Sequence, residues 1–292
     1  MHYIEAKSLL SSKNGMNIYR GCQHGCIYCD SRSVCYGMKH DFEDICVKKN
    51  APELLENALR RKRNKCMIGT GSMSDPYMPL EKELKYTQKC LKIAENYGFG
   101  FSFITKSDLA LRDLELIKSI NDKAKCVVQM TLTAFDDKLC EIIEPKVCTT
   151  SRRAEALKAF AECGVPTVVW LSPVLPFIND TEKNLKGILD LCAEGGVRGV
   201  ICFGFGLTLR EGNREYFYGK LDESFPGLKK EYISHFGSMY AACSPDNNKL
   251  MRIFHDICEG YGIMHSNDEI FSYIHRFESK RKPEQLSFFS LR

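Results

Sequence analysis

Through the first two-thirds of the chain, short apolar runs alternate with stretches whose apolar positions recur at helical spacing. The runs 15–20, 66–70, 99–105, 125–133, 165–172 and 198–204 are rich in Val, Ile, Phe and Thr and read as strands. Between them, Leu54, Leu55, Ala58 and Leu59 share one helical face, as do Leu84, Thr87, Leu91 and Ala94. The same spacing returns at Leu157, Phe160 and Ala161, and at Leu185, Ile188, Leu189 and Cys192. Gly98, Gly164 and the pair Gly195–Gly196 stand where these helices should stop. Strands joined by helices over such short connections imply parallel pairing and right-handed crossovers. Six strand–helix units predict an α/β fold, a partial (β/α)6 TIM-like barrel of parallel strands. Beyond about residue 205 the alternation gives way to helical and aromatic segments. The expected organisation is therefore a barrel over 1–205 and a helical C-terminal extension, 206–292, packed on it.

Composition narrows the class without naming a function. The 292 residues suffice for one barrel-sized domain, and 44% hydrophobic with 27% charged residues is ordinary for a soluble protein. No apolar run approaches the roughly 20 residues that cross a bilayer. The N-terminal stretch MHYIEAKSLL lacks the basic start and apolar core of a signal peptide, so a cytoplasmic protein is expected. Fifteen cysteines, an odd number without a secretion signal, argue against a disulfide framework. Most of them, Cys90, Cys163 and Cys192 among them, fall in apolar patterns and are expected to pack as small hydrophobes. A net charge of +4 is too small to point to a nucleic acid. Arg60, Arg61, Lys62 and Arg63 close a helix that starts near Pro52, where the helix dipole favours cations. They precede the second strand, which puts them on the barrel face opposite the strand C-termini, where such barrels build their sites. A second basic group, Lys280 to Lys282, sits in a polar tail. His255, His265 and His275 recur every ten residues, which follows no single helical face.

The chemistry concentrates in the segment Asn17 to Asp30, where Cys22, Cys26 and Cys29 are spaced C-x3-C-x2-C. These positions would form one stripe on a helix, but Gly21 and Gly25 would each cost that helix about 1 kcal/mol relative to alanine. With polar Gln23 and His24 between them, a loop is the better reading. Three thiolates on one loop can each reach a different iron of a cubane cluster. The fourth iron then stays open, as a catalytic zinc keeps one free position. A rival reading adds Cys35, six residues after Cys29, to make a four-cysteine zinc site in a binding module. Against it, all four cysteines would crowd one short segment rather than form two separated knuckles. A second rival is an iron–sulfur electron carrier that cleaves nothing.

The C-x3-C-x2-C spacing with an aromatic before the last cysteine, here Tyr28, resembles the signature of the radical S-adenosylmethionine (radical SAM) superfamily. The resemblance implies a 4Fe-4S cluster whose open iron takes the amino and carboxylate groups of S-adenosylmethionine. It implies reductive cleavage of that cofactor to methionine and a 5′-deoxyadenosyl radical, which abstracts hydrogen from a substrate. Gly69 to Glu81 after the second strand, Phe103 to Ser107, Thr131-Leu132-Thr133 and Glu144-Pro145 resemble the branch containing spore photoproduct lyase, over roughly residues 15 to 205. By position, the likeness assigns Tyr28 and Lys106 to the cofactor, Lys106 as a partner for its carboxylate. Ser74 and Asp75 would meet its amino group, although Asp75 before Pro76 equally suits a capping turn. Thr131, Leu132 and Ser172, at the ends of the fourth and fifth strands, complete the implied cofactor contacts. One departure matters: the lyase carries a hydrogen-donating cysteine after its second strand, where this chain has Met73, and no cysteine occurs from Met67 to Lys89. A relative of the lyase is expected rather than the lyase. The implied partner is an external one-electron reductant of the flavodoxin or ferredoxin type. Nucleic acid, peptide and small metabolite all remain candidate substrates, with Tyr19, Tyr36 or Cys35 at hand to contact one. Gly204-Phe205-Gly206 could let a ligand approach the backbone.

Overall fold

The computed structural model describes residues 1–280, so Arg281 and Lys282 of the second basic group lie outside the described residues. Nine strands come first: β1 (His2–Ile4), β2 (Gly15–Met16), β3 (Tyr19–Arg20), β4 (Cys46–Lys48), β5 (Met67–Thr70), β6 (Gly100–Thr105), β7 (Cys126–Thr131), β8 (Thr167–Trp170) and β9 (Gly199–Ile201). From β4 onward they alternate with helices α1 (Ala51–Arg61), α2 (Glu81–Leu84), α3 (Tyr86–Asn96), α4 (Leu114–Lys123), α5 (Asp137–Ile143), α6 (Thr150–Glu162) and α7 (Glu182–Glu194). Six strands form one parallel sheet in the order β2-β5-β6-β7-β8-β9. Each new strand adds at the same edge, the topology of a partial α/β barrel, with β2 and β9 left unjoined.

Alternation of side chains along the strands decides which residues meet the helices and which meet the lumen. Phe101, Phe103, Val128, Met130 and Val169 point outward into one core with Leu55, Leu91, Ile117, Leu157 and Ile188 of the helices. Each such side chain, fully buried, contributes about 1.5–3 kcal/mol. On the inner face, Gln129 Nε2 donates to Ser102 Oγ at 2.6 Å and Trp170 Nε1 donates to Gln129 Oε1 at 2.8 Å.

The structure departs from the sequence reading at two places. The run 15–20 is not one strand: Gly15–Met16 joins the barrel, while Tyr19–Arg20 turns away to pair antiparallel with β4. Parallel pairing of β4 with β1 completes a three-stranded side sheet. The C-terminal part is not only helical. It opens with β10 (Gly206–Thr208), continues through α8 (Asn213–Ser224) and α9 (Leu228–Phe236), and returns as β11 (Ala241–Cys243), antiparallel to β10. Two last helices, α10 (Asn247–Tyr261) and α11 (Asn267–His275), pack back on the barrel. Ile270 and Ile274 of α11 meet Met67, Val127 and Val168 near the strand N-termini and so stopper that end of the lumen. Lys125, itself buried, donates through Nζ to the Tyr273 carbonyl and pairs with Glu278 at 3.1 Å, which ties down the segment after α11. No described helix is long and apolar enough to cross a membrane.

Candidate functional site

The departure of the chain from the barrel at Tyr19 hangs the cysteine loop over the C-terminal ends of the strands. Gly21 sits at φ +85°, and a Cβ there would lie 2.3 Å from the Phe42 carbonyl oxygen, so only glycine fits. The next amide, Cys22 N–H, donates to that same oxygen at 3.1 Å. On the opposite side, Ile27 N–H donates to the Ile143 carbonyl at 3.0 Å and Lys146 N–H to the His24 carbonyl at 3.1 Å. The loop is therefore clamped between residue 42 and residues 143–146.

The three motif thiols are not acidic in the metal-free protein. Burial first, then the Asp75 charge, pushes the Cys22 thiol up to about 12. Cys26 and Cys29 are also raised, chiefly by burial, although the Lys106 ammonium opposes the shift at both. Such thiols lose their protons on binding a metal, whose positive charge replaces them. Among the described residues, the only tight group of possible metal ligands, with all donor atoms within 4.8 Å of one another, is His2, His40 and Asp44. Cys22, Cys26 and Cys29 are thus spread more widely than the shell of a single ion, as a multi-iron cluster requires. Cys35 is exposed and accepts from Arg210 Nη1 at 3.4 Å, outside any such group, which leaves the four-cysteine zinc reading without a site.

Two buried polar pairs hold the loop to the barrel. His24, between Cys22 and Cys26, places Nε2 2.9 Å from Asp75 Oδ2, out of line for a linear hydrogen bond. Asp75 is saturated: Oδ1 accepts from Tyr77 N–H at 2.8 Å and Thr105 Oγ1 at 2.7 Å, and Oδ2 accepts from Lys106 N–H at 2.7 Å. Burial alone would raise its pKa, but His24 and these donors outweigh it and keep the carboxyl below its ordinary value. The second pair is Glu144 with Arg153, both fully buried. Tyr28 donates its hydroxyl to Glu144, and Arg153 Nη1 donates to the Thr131 carbonyl at 2.6 Å. Tyr28, the motif aromatic, is in this way wired to the end of β7.

A cavity of about 550 Å³ opens beside the loop. Of the residues the sequence singled out, Tyr28, Cys29, Tyr36, Lys106, Ser172 and the Gly204-Phe205-Gly206 triplet line it, whereas Tyr19 and Cys35 do not. Ser74, Asp75, Thr131 and Leu132 are buried and do not, and neither do Cys22 and Cys26. The loop after β5 instead presents Ser72 and Met73 to the cavity. Asp75 belongs to the turn, and its side chain has no oxygen left for a ligand's amino group. Leu132 spends its N–H on the Trp170 carbonyl at 3.1 Å. Lys106 forms no ion pair or side-chain hydrogen bond among the described residues, and its ammonium stands 5.9 Å from the Tyr28 ring centroid. Burial would lower its pKa, yet Cys26 and Glu144 raise it overall, so the cation persists.

Sequence reasoning missed the far wall, which comes from the C-terminal strand pair. Asp30, directly after Cys29, accepts from Thr208 Oγ1 at 3.0 Å and Tyr36 hydroxyl at 2.8 Å, and Arg210 Nε lies 3.5 Å away. Gly206 permits this closure, since a Cβ there would strike the Ala242 carbonyl at 2.5 Å. Tyr36 and the Gly204-Phe205-Gly206 triplet were the available signals, and all four residues line the cavity.

Comparison with known proteins bears on the same region. The sequence model of the Radical SAM superfamily matches residues 16–192, more than half of the chain. An uncharacterised protein of Methanocaldococcus jannaschii is 34% identical over 183 residues, 61% of this chain and 67% of that one. An uncharacterised protein of Mycobacterium tuberculosis is 30% identical over 225 residues, 74% of this chain and 65% of that one. The matched part thus spans about two thirds of the length of these relatives. Spore photoproduct lyase complexed with dinucleoside spore photoproduct superposes with a TM-score of 0.62 at 14% identity, covering 90% of this chain and 80% of that one. At that identity the likeness is one of fold.

Proposed function

Since the chain belongs to the radical SAM superfamily, we propose that Cys22, Cys26 and Cys29 hold a 4Fe-4S cluster and that S-adenosylmethionine binds in the cavity beside Cys29. The carrying observation is a three-thiol loop, with no fourth cysteine grouped to it, that opens onto a cavity containing an unpaired ammonium, Lys106. When bound, the cluster supplies the electron that cleaves the cofactor's sulfonium.

The chain's own groups bind, orient and exclude water. Lys106 offers a charge-assisted donor to the cofactor's carboxylate. Ser72 and Ser172 are the hydroxyls that face the cavity and can meet its polar groups. Asp75 and the Thr131 carbonyl act one step back: Asp75 fixes the backbone at Lys106, and Thr131 receives Arg153. Trp170 and Phe203, 6.1 Å apart between ring centroids, form an apolar wall that keeps water from the reacting centre. Phe203 is 61% exposed, and a flat ring such as a nucleobase could stack on it. That favours a nucleic acid over a peptide or a small metabolite as the substrate, in keeping with the dinucleoside ligand of the fold neighbour. The electron comes from an external carrier of the flavodoxin or ferredoxin type.

Anaerobic reconstitution with iron and sulfide, reduction with dithionite, and detection of 5′-deoxyadenosine from added S-adenosylmethionine test the reading. Release that vanishes in Cys22→Ala, Cys26→Ala and Cys29→Ala is the expected result. A folded protein that takes zinc in place of iron overturns it.

A further inference from the structure

The cysteine loop has two exposed sides. Cys29 faces the cavity already described, while His24 faces a second depression, about 370 Å³, walled by the segments that follow β5, β6 and α5. The two share no lining residue. Four charged side chains border the second depression beside His24: Lys82, Asp108, Arg112 and Lys146. Two of these charges are already answered. Arg112 pairs with Glu81 at 3.1 Å and Asp113 at 2.7 Å, and Asp108 pairs with Arg152 at 3.2 Å. Lys82 and Lys146 are exposed and form no ion pair among the described residues. The depression therefore presents two unpaired positive charges apart from the cofactor cavity.

We propose that this face, with Lys82 and Lys146 beside His24, is the docking surface for an acidic one-electron carrier protein. The inference rests on the cluster assignment above and adds where its electron enters. Three observations support the placement. The route is short, because His24 sits in the loop itself, two residues from Cys22 and two from Cys26. The route is rigid, because the His24 ring is buried and held between Asp75 and the Lys146 carbonyl, which lies 3.2 Å from Nδ1. Access is independent, because a carrier seated here leaves the cofactor cavity open. Unpaired lysines attract an acidic partner over distances comparable to the Debye length, roughly 10 Å at 0.1 M salt, which raises its rate of encounter.

The test uses the reconstituted full chain with flavodoxin as the acidic carrier. Lys82→Glu/Lys146→Glu is compared with wild type and with a control reversal at the other end of the barrel, Lys62→Glu/Arg63→Glu. Binding of oxidised flavodoxin is measured by calorimetry at low and high salt, and bleaching of the cluster by reduced flavodoxin is followed by absorbance. The expected result is a Kd raised about tenfold or more at low salt, with bleaching slowed in proportion and the difference shrinking at high salt. Iron content and bleaching by dithionite should stay at wild-type values, and the control should behave as wild type. An unchanged Kd, an equal loss in the control, or an equal loss of dithionite reduction overturns the proposal while leaving the cluster assignment intact. A wild-type protein that reconstitutes no iron–sulfur cluster removes the cluster assignment, and the docking face with it.

Discussion

Replacing Glu144 by glutamine tests whether a buried ion pair holds the motif tyrosine in place. Glu144 and Arg153 are both inaccessible to solvent, and the carboxylate also accepts from Tyr28. Glutamine keeps the shape and an acceptor for Tyr28 but leaves the Arg153 guanidinium buried without a counter-charge. Removing one partner of a buried pair costs about 3–5 kcal/mol, mostly the penalty of the stranded charge. At roughly 2–4 °C per kcal/mol for a domain of this size, Tm should fall by about 6–20 °C in a circular-dichroism melt. The pH dependence has a definite sign. Burial would raise the Glu144 pKa, but Arg153, Lys106 and the hydrogen bonds from Tyr28 and Arg153 hold it below the usual value. A carboxyl with a depressed folded-state pKa stabilises fully above its unfolded value, about 4.3, and loses that contribution as pH falls through the folded value. Wild type should therefore lose stability in that acid window, and the glutamine variant should lose less there. Adding Arg153→Met, which removes the stranded charge, should recover part of the loss, since a well-packed apolar replacement of a buried pair is often neutral. A variant that melts within about 2 °C of wild type, or a double variant worse than the sum of the singles, would refute the reasoning.

Other substitutions separate the remaining roles. Gly21→Ala forces a Cβ onto the Phe42 carbonyl at a left-handed φ, a strain of about 1–2 kcal/mol before the clash is counted, so iron retained after reconstitution should drop well below three-quarters of wild type. Lys106→Met removes a charged hydrogen-bond donor of about 1.5–3 kcal/mol, so the Kd for S-adenosylmethionine should rise roughly 10- to 100-fold by equilibrium dialysis with iron content unchanged; a smaller effect removes Lys106 from the carboxylate. Cys35→Ser should keep the full iron load, and loss of all metal in that variant would return the zinc reading.

The barrel was legible because strands buried on both faces read as continuous apolar runs, and five of the six predicted runs coincide with barrel strands to within a few residues. The sixth, 15–20, failed for a physical reason. Met16 and Tyr19 are equally good strand residues, and nothing local says that one pairs with β5 and the other with β4. The side-sheet strands β1 and β4, and the pair β10 and β11, are three residues each, too short for a periodic signal. At the site, the cysteine loop was readable because its spacing is local. The contacts around it depend on direction. Neighbouring residues can face opposite sides of the backbone, so Ser72 and Met73 reach the cavity while Asp75 folds back on Tyr77 N–H in the capping turn that Pro76 had suggested. Which side is the lumen is a property of the assembled partial barrel and is not encoded in the segment.

That difference follows from how the loop is held. Cys22, Cys26 and Cys29 take no part in the main hydrophobic core, and only Cys26 and Cys29 touch the smaller apolar cluster under the C-terminal segment. The fixings are instead polar and distant in sequence: Asp75 with His24, Glu144 with Tyr28 and Arg153, and Asp30 with Thr208 and Arg210. Each joins the loop to a different part of the fold: the β5–β6 end, the β7–α6 region and the C-terminal strands. A hydrophobic core tolerates a residue shifted by a methylene and still packs. A charge pair in a low-dielectric site does not, because either member alone is a buried unpaired ion. The fully buried Glu144–Arg153 pair therefore sets its side of the loop more tightly than apolar packing would. The His24–Asp75 contact and the partly exposed Asp30–Arg210 pair are further polar anchors, while the barrel core beneath packs without any of the three thiols. The division puts strand periodicity in charge of the scaffold and long-range charge complementarity in charge of the site.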